Sequence, residues 1–177
     1  MTLVYPITPA RALSQDLLPP PQTSTIATDK IDQDILKRRQ LLKWHQGLGI
    51  GMITLQAATV ALGQLNYDDV ISGKGTQKYQ SAHRTLAIST ATFFAVSALF
   101  AYLAPTPFTK KARLDTVNIH KWSMGLAALG MVAQIILGVT ARSNRGSLDE
   151  ERFAKAHLAL GYGTLGLTTL GTSVLFF

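Results

Sequence analysis

The chain has 177 residues, of which 47% are hydrophobic and only 15% charged, and its formal net charge is +7. Soluble domains carry about 25% charged residues, so this composition is typical of a membrane protein. The basic residues lie at the edges of apolar blocks, which favours the anionic surface of a bilayer over nucleic acid as their partner. The absence of cysteine excludes disulfides, iron–sulfur clusters, thiolate metal sites and the covalent attachment of a c-type haem.

The N-terminal segment, residues 1–36, lacks the apolar core of a secretory signal. It carries prolines at positions 6, 9, 19, 20 and 21, together with scattered Ser, Thr and Gln. This composition predicts an extended or mobile leader; a clamp on a neighbouring subunit is the alternative. We therefore divide the chain into a Pro-rich leader, residues 1–36, and a helical domain, residues 37–177.

Four apolar segments follow the leader, and each approaches or exceeds the ~20 residues that a helix needs to cross a bilayer. They cover about residues 41–65, 82–104, 117–141 and 153–177. The connectors are short and rich in turn residues, so neighbouring segments should run antiparallel. The sequence therefore predicts an all-α fold, an integral membrane up-down four-helix bundle.

The distribution of Lys and Arg predicts the orientation of this bundle. The side that holds the leader and the connector between the second and third segments has ten of these residues, and the other side has seven. The runs KRRQLLK and KKAR both lie on the first side, close to the apolar segments. By the positive-inside rule we expect a multi-pass membrane protein with both termini on the cytoplasmic side.

The chain has four histidines, one near the start of each apolar segment: His45, His83, His120 and His157. In an antiparallel bundle the first and third segments start on one side, and the second and fourth start on the other. His45 and His120 should therefore face one another near one surface, and His83 and His157 near the opposite surface.

Two facing imidazoles at one depth are what bis-histidine ligation of a haem iron requires. Zinc sites usually need three or four protein ligands, commonly with carboxylate or thiolate, and no acidic residue lies inside the apolar segments. The pattern thus predicts two non-covalent b-type haems, with His45 and His120 as axial ligands of one iron and His83 and His157 as those of the other.

Basic and aromatic residues flank these histidines. Lys43, Arg84, Lys121 and Lys155 each lie within two residues of a histidine, where they would contact haem propionates or lipid phosphates. The two tryptophans, which also neighbour histidines on the first side, are predicted to be interfacial anchors.

A few other side chains within the apolar segments need an explanation. Gln56 and Gln134 are expected to form hydrogen bonds across helices or to bound water. Met52, Met124 and Met131 are predicted to be packing residues rather than axial ligands, because they occur at helical spacing.

The pattern of one histidine per helix resembles the four-helix core of the cytochrome b561 superfamily, including its bacterial and ferric-reductase-like branches. The stretch HKWSMGLAALGMVAQIILGV and the later HLALGYGTLGL are similar in style to that core, and the resemblance covers residues 41–177. It implies two non-covalent b haems, ligated by the first with the third helix and the second with the fourth. It also implies transmembrane electron transfer from a donor such as ascorbate or a quinol to an acceptor on the opposite face.

The expected partners are a lipid bilayer, a redox donor and acceptor, and a larger membrane complex or a second copy of the chain. Both a transmembrane oxidoreductase and a relay subunit fit this hypothesis. A haem-free four-span scaffold or assembly subunit is the alternative; its histidines would form surface hydrogen bonds and its glycines would pack helices. A small transporter or proton relay is a weaker alternative, because no carboxylate lies inside the apolar segments.

Overall fold

A computed structural model of the chain describes residues 22–71, 75–107 and 114–175, with side chains from residue 28 onward. It contains four helices: α1 (Gln22–Ile71), α2 (Gln80–Leu103), α3 (Thr116–Ser143) and α4 (Leu148–Ser173). These described ranges contain no strand. The predicted all-α fold with four helices is therefore confirmed, and each helix carries one of the four histidines.

The first helix is longer than the sequence analysis predicted. It begins at Gln22, directly after the last proline of the leader, and continues to Ile71. Residues 22–36, which were expected to be extended or mobile, are therefore helical; no proline interrupts the backbone hydrogen bonds between residues 22 and 71. The predicted boundary at residue 36 falls inside this helix, and the predicted leader conformation for residues 1–21 lies outside the described residues.

Local capping explains where the other helices begin and end. At the start of α3, the Asp115 carboxylate accepts a hydrogen bond of 2.8 Å from the Asn118 N–H. At the start of α4, the Glu150 carboxylate accepts one of 2.6 Å from the Gly146 N–H, and negative charge is favourable at this end of a helix. Helix α2 ends two residues before Pro105, which cannot continue a helix.

The helices form two antiparallel hairpins, α1–α2 and α3–α4, which pack together through α1 and α4. The hydrogen bond from His45 to Ser97 joins the first half of α1 to the end of α2. The bond from His120 to Gly171 joins α3 to α4 in the same way. Helices α2 and α3 hardly touch one another. The order around the bundle is therefore α2, α1, α4, α3, so that α1 lies opposite α3 and α2 lies opposite α4.

An internal repeat relates the two hairpins. Gly63 follows His45 on α1 at the same spacing as Gly138 follows His120 on α3. In each hairpin this glycine packs against the imidazole of the second helix. The chain thus builds the same helical hairpin twice, with an approximate twofold relation between the copies.

A polar contact at the centre of each hairpin obeys the same repeat. The hydroxyls of Thr59 and Thr90 are 3.0 Å apart in the first hairpin. At the corresponding positions of the second hairpin, Gln134 Nε2 donates to Thr164 Oγ1 at 3.3 Å. Since the spacing along both helices is retained, the two hairpins have the same register.

The interior of the bundle is rich in small and polar side chains, whereas much of its exterior is apolar. Fully buried Thr164 and Thr168 contrast with Leu129, which is 69% exposed. The other buried polar side chains of the described helices are Gln56, Thr59, Asp69, Thr90, Ser97 and Ser123. An exterior of this kind is unfavourable in water and is the usual one for helices that pack in lipid.

Three of the four described helices are long and apolar enough to cross a membrane: Thr28–Ile71 of α1, and the whole of α2 and α3. Helix α4 has sufficient length, but it is less apolar than the sequence analysis expected. Its first turn contains Asp149, Glu150 and Glu151, and its buried face consists of threonine and glycine. Hydropathy thus supports three of the four predicted membrane spans.

The contact between the hairpins can be tested at Thr168. Its hydroxyl donates to Gln56 Oε1 at 2.8 Å in the buried interface between α4 and α1. We expect Thr168→Val to lower the free energy of unfolding by about 1–3 kcal/mol, because the buried amide oxygen loses its donor. Chemical unfolding of the purified chain measures this change. The exposed neighbour Thr169 provides the control: Thr169→Val should have little effect, and equal destabilisation by both variants would contradict the assignment.

Candidate functional site

The structure brings the four histidines together as two facing pairs, as the sequence analysis predicted. The ring centroids of His45 and His120 are 5.8 Å apart, and their planes cross at 83°. Those of His83 and His157 are 6.0 Å apart and cross at 89°. Because α1 lies opposite α3 and α2 lies opposite α4, each pair spans the bundle diagonally.

Each imidazole is held by a hydrogen bond between its Nδ1 and a backbone carbonyl of the neighbouring helix of its own hairpin. The acceptors are Ser97 O for His45 at 2.9 Å, Thr59 O for His83 at 3.0 Å, Gly171 O for His120 at 2.7 Å and Gln134 O for His157 at 3.0 Å. A carbonyl can only accept, so Nδ1 must carry the proton in all four rings. In the neutral ring each Nε2 is then an unprotonated nitrogen with a lone pair, and this is the tautomer in which Nε2 can bind a metal.

Two glycines leave the space that the second pair of imidazoles occupies. A Cβ atom at Gly63 would lie 3.0 Å from Cε1 of His83, and one at Gly138 would lie 3.1 Å from Cε1 of His157. Any larger side chain would push these rings out of position. The glycines are therefore part of the site, and helix packing alone does not account for them.

The donor set limits the kind of metal centre that these pairs can form. Each pair offers two nitrogen ligands, and no group of three or more His, Cys, Asp or Glu side chains able to hold a metal ion occurs in the described part of the chain. A structural zinc site would need about four ligands. Each pair by itself therefore supplies two of the ligands that a metal centre needs.

A cavity of about 810 Å³ surrounds the second pair of histidines and extends between α2 and α3. Its size lies within the ~300–1,000 Å³ range of small-molecule and cofactor sites. The walls are mostly apolar, and Arg84, Arg142 and Arg145 lie at one end. The buried Oδ1 of Asn66, which belongs to a cavity-lining residue, has no hydrogen-bond partner among the described residues.

The structure distinguishes among the four flanking cations. Arg84 lines the cavity, as a partner for anionic groups of a cofactor would. Lys155, beside His157, is exposed and does not line it, which favours the lipid or solvent role for this residue. Lys43 and Lys121 are exposed and lie beside the first pair, away from this cavity.

Arg142 and Arg145 also line the cavity, and the sequence analysis did not identify them as site residues. The position of Arg142 in the sequence could have identified it. Arg142 follows Gly138 at i+4, on the face of α3 that carries the glycine in contact with His157. Arg145 lies in the turn beyond Ser143, where helical spacing gives no such signal.

Among the other side chains singled out from the sequence, the two glutamines and Met52 lie inside the bundle and the two tryptophans lie on its exterior. Gln56 accepts from Thr168, and Gln134 donates to Thr164, so both glutamines bond across helices as expected. Met52 is buried, which agrees with its predicted packing role. The expected interfacial anchors, Trp44 and Trp122, are 58% and 74% exposed.

Comparison of the chain with protein-family models, with curated proteins and with solved structures found no match.

The shared tautomer of the histidines can be measured directly. We expect all four imidazoles of the chain without cofactor to carry their proton on Nδ1, because each Nδ1 faces a carbonyl oxygen. Nitrogen-15 NMR of histidine-labelled protein separates the two ring tautomers. The unfolded chain serves as the control, since its rings lose these acceptors. A folded chain with protonated Nε2 in either pair would contradict the geometry.

Proposed function

We propose that this chain is a dihaem b-type cytochrome that carries electrons across a membrane. In this proposal His45 and His120 hold one non-covalent haem, and His83 and His157 hold the other. Each bound haem supplies a one-electron iron couple. The protein contributes the axial nitrogens, the dry surroundings and the fixed separation between the two sites.

The observation that carries the proposal is the spacing of the facing imidazoles. Metal–imidazole bonds are about 2.0–2.1 Å long and each Nε2 lies about 1.1 Å from its ring centroid, so two in-line imidazoles on one metal have centroids about 6.2–6.4 Å apart. The centroid separations of the two pairs, 5.8 Å and 6.0 Å, are within about 0.6 Å of this range. This closeness supports the proposal for both pairs, and in each the Nδ1 bond leaves Nε2 available to a metal.

The exterior of the bundle supports a location within a lipid bilayer. Three helices have the length and hydropathy to cross it. We propose that α4 crosses as well, because it packs antiparallel along α3, from the contact of Gly171 with His120 to that of His157 with Gln134. Its polar threonines point into the bundle, so its modest hydropathy does not expose them to lipid.

The depth of the two pairs supports electron transfer from one side of the membrane to the other. The ring of His83 is bonded to Thr59, which lies fourteen residues beyond His45 on the same helix. At ~1.5 Å per residue the two levels are separated by roughly 20 Å, most of the ~30 Å hydrocarbon thickness. Each pair therefore lies close to one surface.

The resemblance to the cytochrome b561 superfamily adds the classes of partner to this proposal. The donor is a quinol or another small reductant on one face, and the acceptor is on the other face. By the distribution of Lys and Arg, we propose that the termini are cytoplasmic. The chain acts either as a transmembrane oxidoreductase itself or as the membrane subunit of a larger complex or homodimer.

The alternative, a haem-free scaffold, explains the packing of the hairpins but not the histidines or the two glycines that contact them. A structural histidine in an apolar setting needs partners for both ring nitrogens. Here each Nδ1 has a hydrogen-bond partner, and the two rings of each pair face one another across the bundle. The scaffold hypothesis gives no reason for this arrangement to occur twice.

Haem stoichiometry of variants tests the proposal. We expect two haems per chain in the purified protein and one in each of four variants: His45→Ala, His120→Ala, His83→Ala and His157→Ala. Either ligand of a pair should have the same effect, because a single imidazole no longer holds the iron on both faces. The pyridine haemochrome spectrum, divided by protein concentration, measures the ratio.

Methionine variants provide the matched control. Met124→Leu and Met131→Leu retain side-chain size and helix propensity but remove the sulfur atom that an axial methionine would need. Both should keep two haems. A colourless protein, or haem loss from the methionine variants with retention in the histidine variants, would contradict the proposal.

A further inference from the structure

We infer that the seam between α2 and α3 is the lateral route by which haem reaches the His83–His157 pair from the bilayer. The inference rests on the proposed function, and it adds an entry route and a set of anion-binding residues. The α1–α4 and α2–α3 seams occupy corresponding positions in the internal repeat. We draw the inference from a difference between these two seams.

The α1–α4 seam is closed by hydrogen bonds between the hairpins. Thr168 donates to Gln56 in its buried part. Tyr162 donates to Gln64 Oε1 at 3.0 Å nearer the level of the second pair. These bonds hold α1 and α4 in contact along the bundle.

The same positions of the α2–α3 seam have apolar residues. In the repeat, Gln56 and Thr168 correspond to Met131 and Phe94, while Gln64 and Tyr162 correspond to Val139 and Ile88. None of these four side chains can form a strong hydrogen bond. Helices α2 and α3 accordingly hardly touch, and the cavity extends into the gap between them.

The chemistry of this seam matches a flat apolar molecule with anionic groups at one edge. Ile88 on α2 and Ile135 on α3 line the cavity and are 59% and 58% exposed, so the gap presents apolar side chains to the surrounding lipid. Arg84 lies on the α2 side of the same end of the cavity and Arg142 on the α3 side. Arg145, in the turn after α3, is 3.9 Å from the carboxylate of Glu150, which also lines the cavity. A porphyrin with two propionates matches the apolar walls and the other two arginines, so Arg84 and Arg142 would pair with its carboxylates.

Cross-linking across each seam tests the route, because the chain has no cysteine of its own. The test variant is Ile88→Cys with Ile135→Cys, and the matched control is Gln64→Cys with Tyr162→Cys across the closed seam. Each pair is bridged by a bifunctional maleimide long enough to span its seam. Haem-free protein in lipid nanodiscs is then given haemin, and bound haem per chain is measured optically.

We expect bridging of the test variant before haemin addition to lower uptake from two haems per chain to one. Bridging the same variant after loading should leave two haems bound and slow the transfer of one of them to apomyoglobin. This second arm also shows that the bridged protein is folded. The bridged control and the unbridged test variant should take up and release two haems like the parent chain.

The outcomes separate this inference from the proposal on which it rests. Uptake of two haems at the parental rate by the bridged test variant would overturn the α2–α3 route and leave haem binding intact. If native mass spectrometry also found a phospholipid bound to the unbridged chain alone, the seam would be a lipid site. Failure of the unbridged parent chain to bind any haem would overturn the proposed function itself.

Discussion

The site depends on one interaction that occurs four times: a backbone carbonyl on one helix accepts a hydrogen bond from Nδ1 of a histidine on the next. This bond selects the tautomer and fixes the rotation of the ring about its Cβ–Cγ bond. It leaves Nε2 on the side of the ring that faces away from the accepting carbonyl. Because the carbonyl belongs to the same hairpin as the histidine, each hairpin orients its own two rings. Docking of the hairpins through α1 and α4 then brings the rings into facing pairs. A ligand held in this way loses little conformational freedom when a metal binds.

The internal repeat explains why each pair joins equivalent histidines of the two hairpins, and a departure from the repeat explains why the two seams differ. Equivalent glycines and equivalent central polar contacts occur in both hairpins, so the same local geometry is produced twice. An arrangement with twofold symmetry would have two equal seams. Here one seam carries a buried hydrogen bond between Gln56 and Thr168, and the other has Met131 and Phe94 in its place. That substitution of polar by apolar side chains is the structural basis for treating one seam as a closed interface and the other as an opening.

Much of this could be predicted from the sequence, because one histidine at the start of each of four apolar segments leaves few arrangements in an antiparallel bundle. The diagonal pairing required only the short connectors. The length of α1 was not predicted, since the prolines up to position 21 and the scattered Ser, Thr and Gln suggested a leader as far as residue 36. Ser, Thr and Gln do not forbid a helix once the last proline has passed. The low hydropathy of α4 was also missed: Thr164 and Thr168 count as polar by composition, yet they face inward. Arg142 and Arg145 were missed because their role depends on the gap between α2 and α3, which follows from helix contacts rather than from local composition.

The crossing angles of the imidazole planes, 83° and 89°, allow the most direct test of the claim that these pairs hold haem iron. Electron paramagnetic resonance of the oxidised, haem-loaded protein distinguishes both the number and the relative orientation of axial imidazoles. Two nearly perpendicular imidazoles on a low-spin ferric haem give a highly anisotropic signal with a large maximal g value, and we expect two overlapping signals of this type. An axial high-spin ferric signal would mean that one histidine of a pair does not ligate, and it would contradict the account.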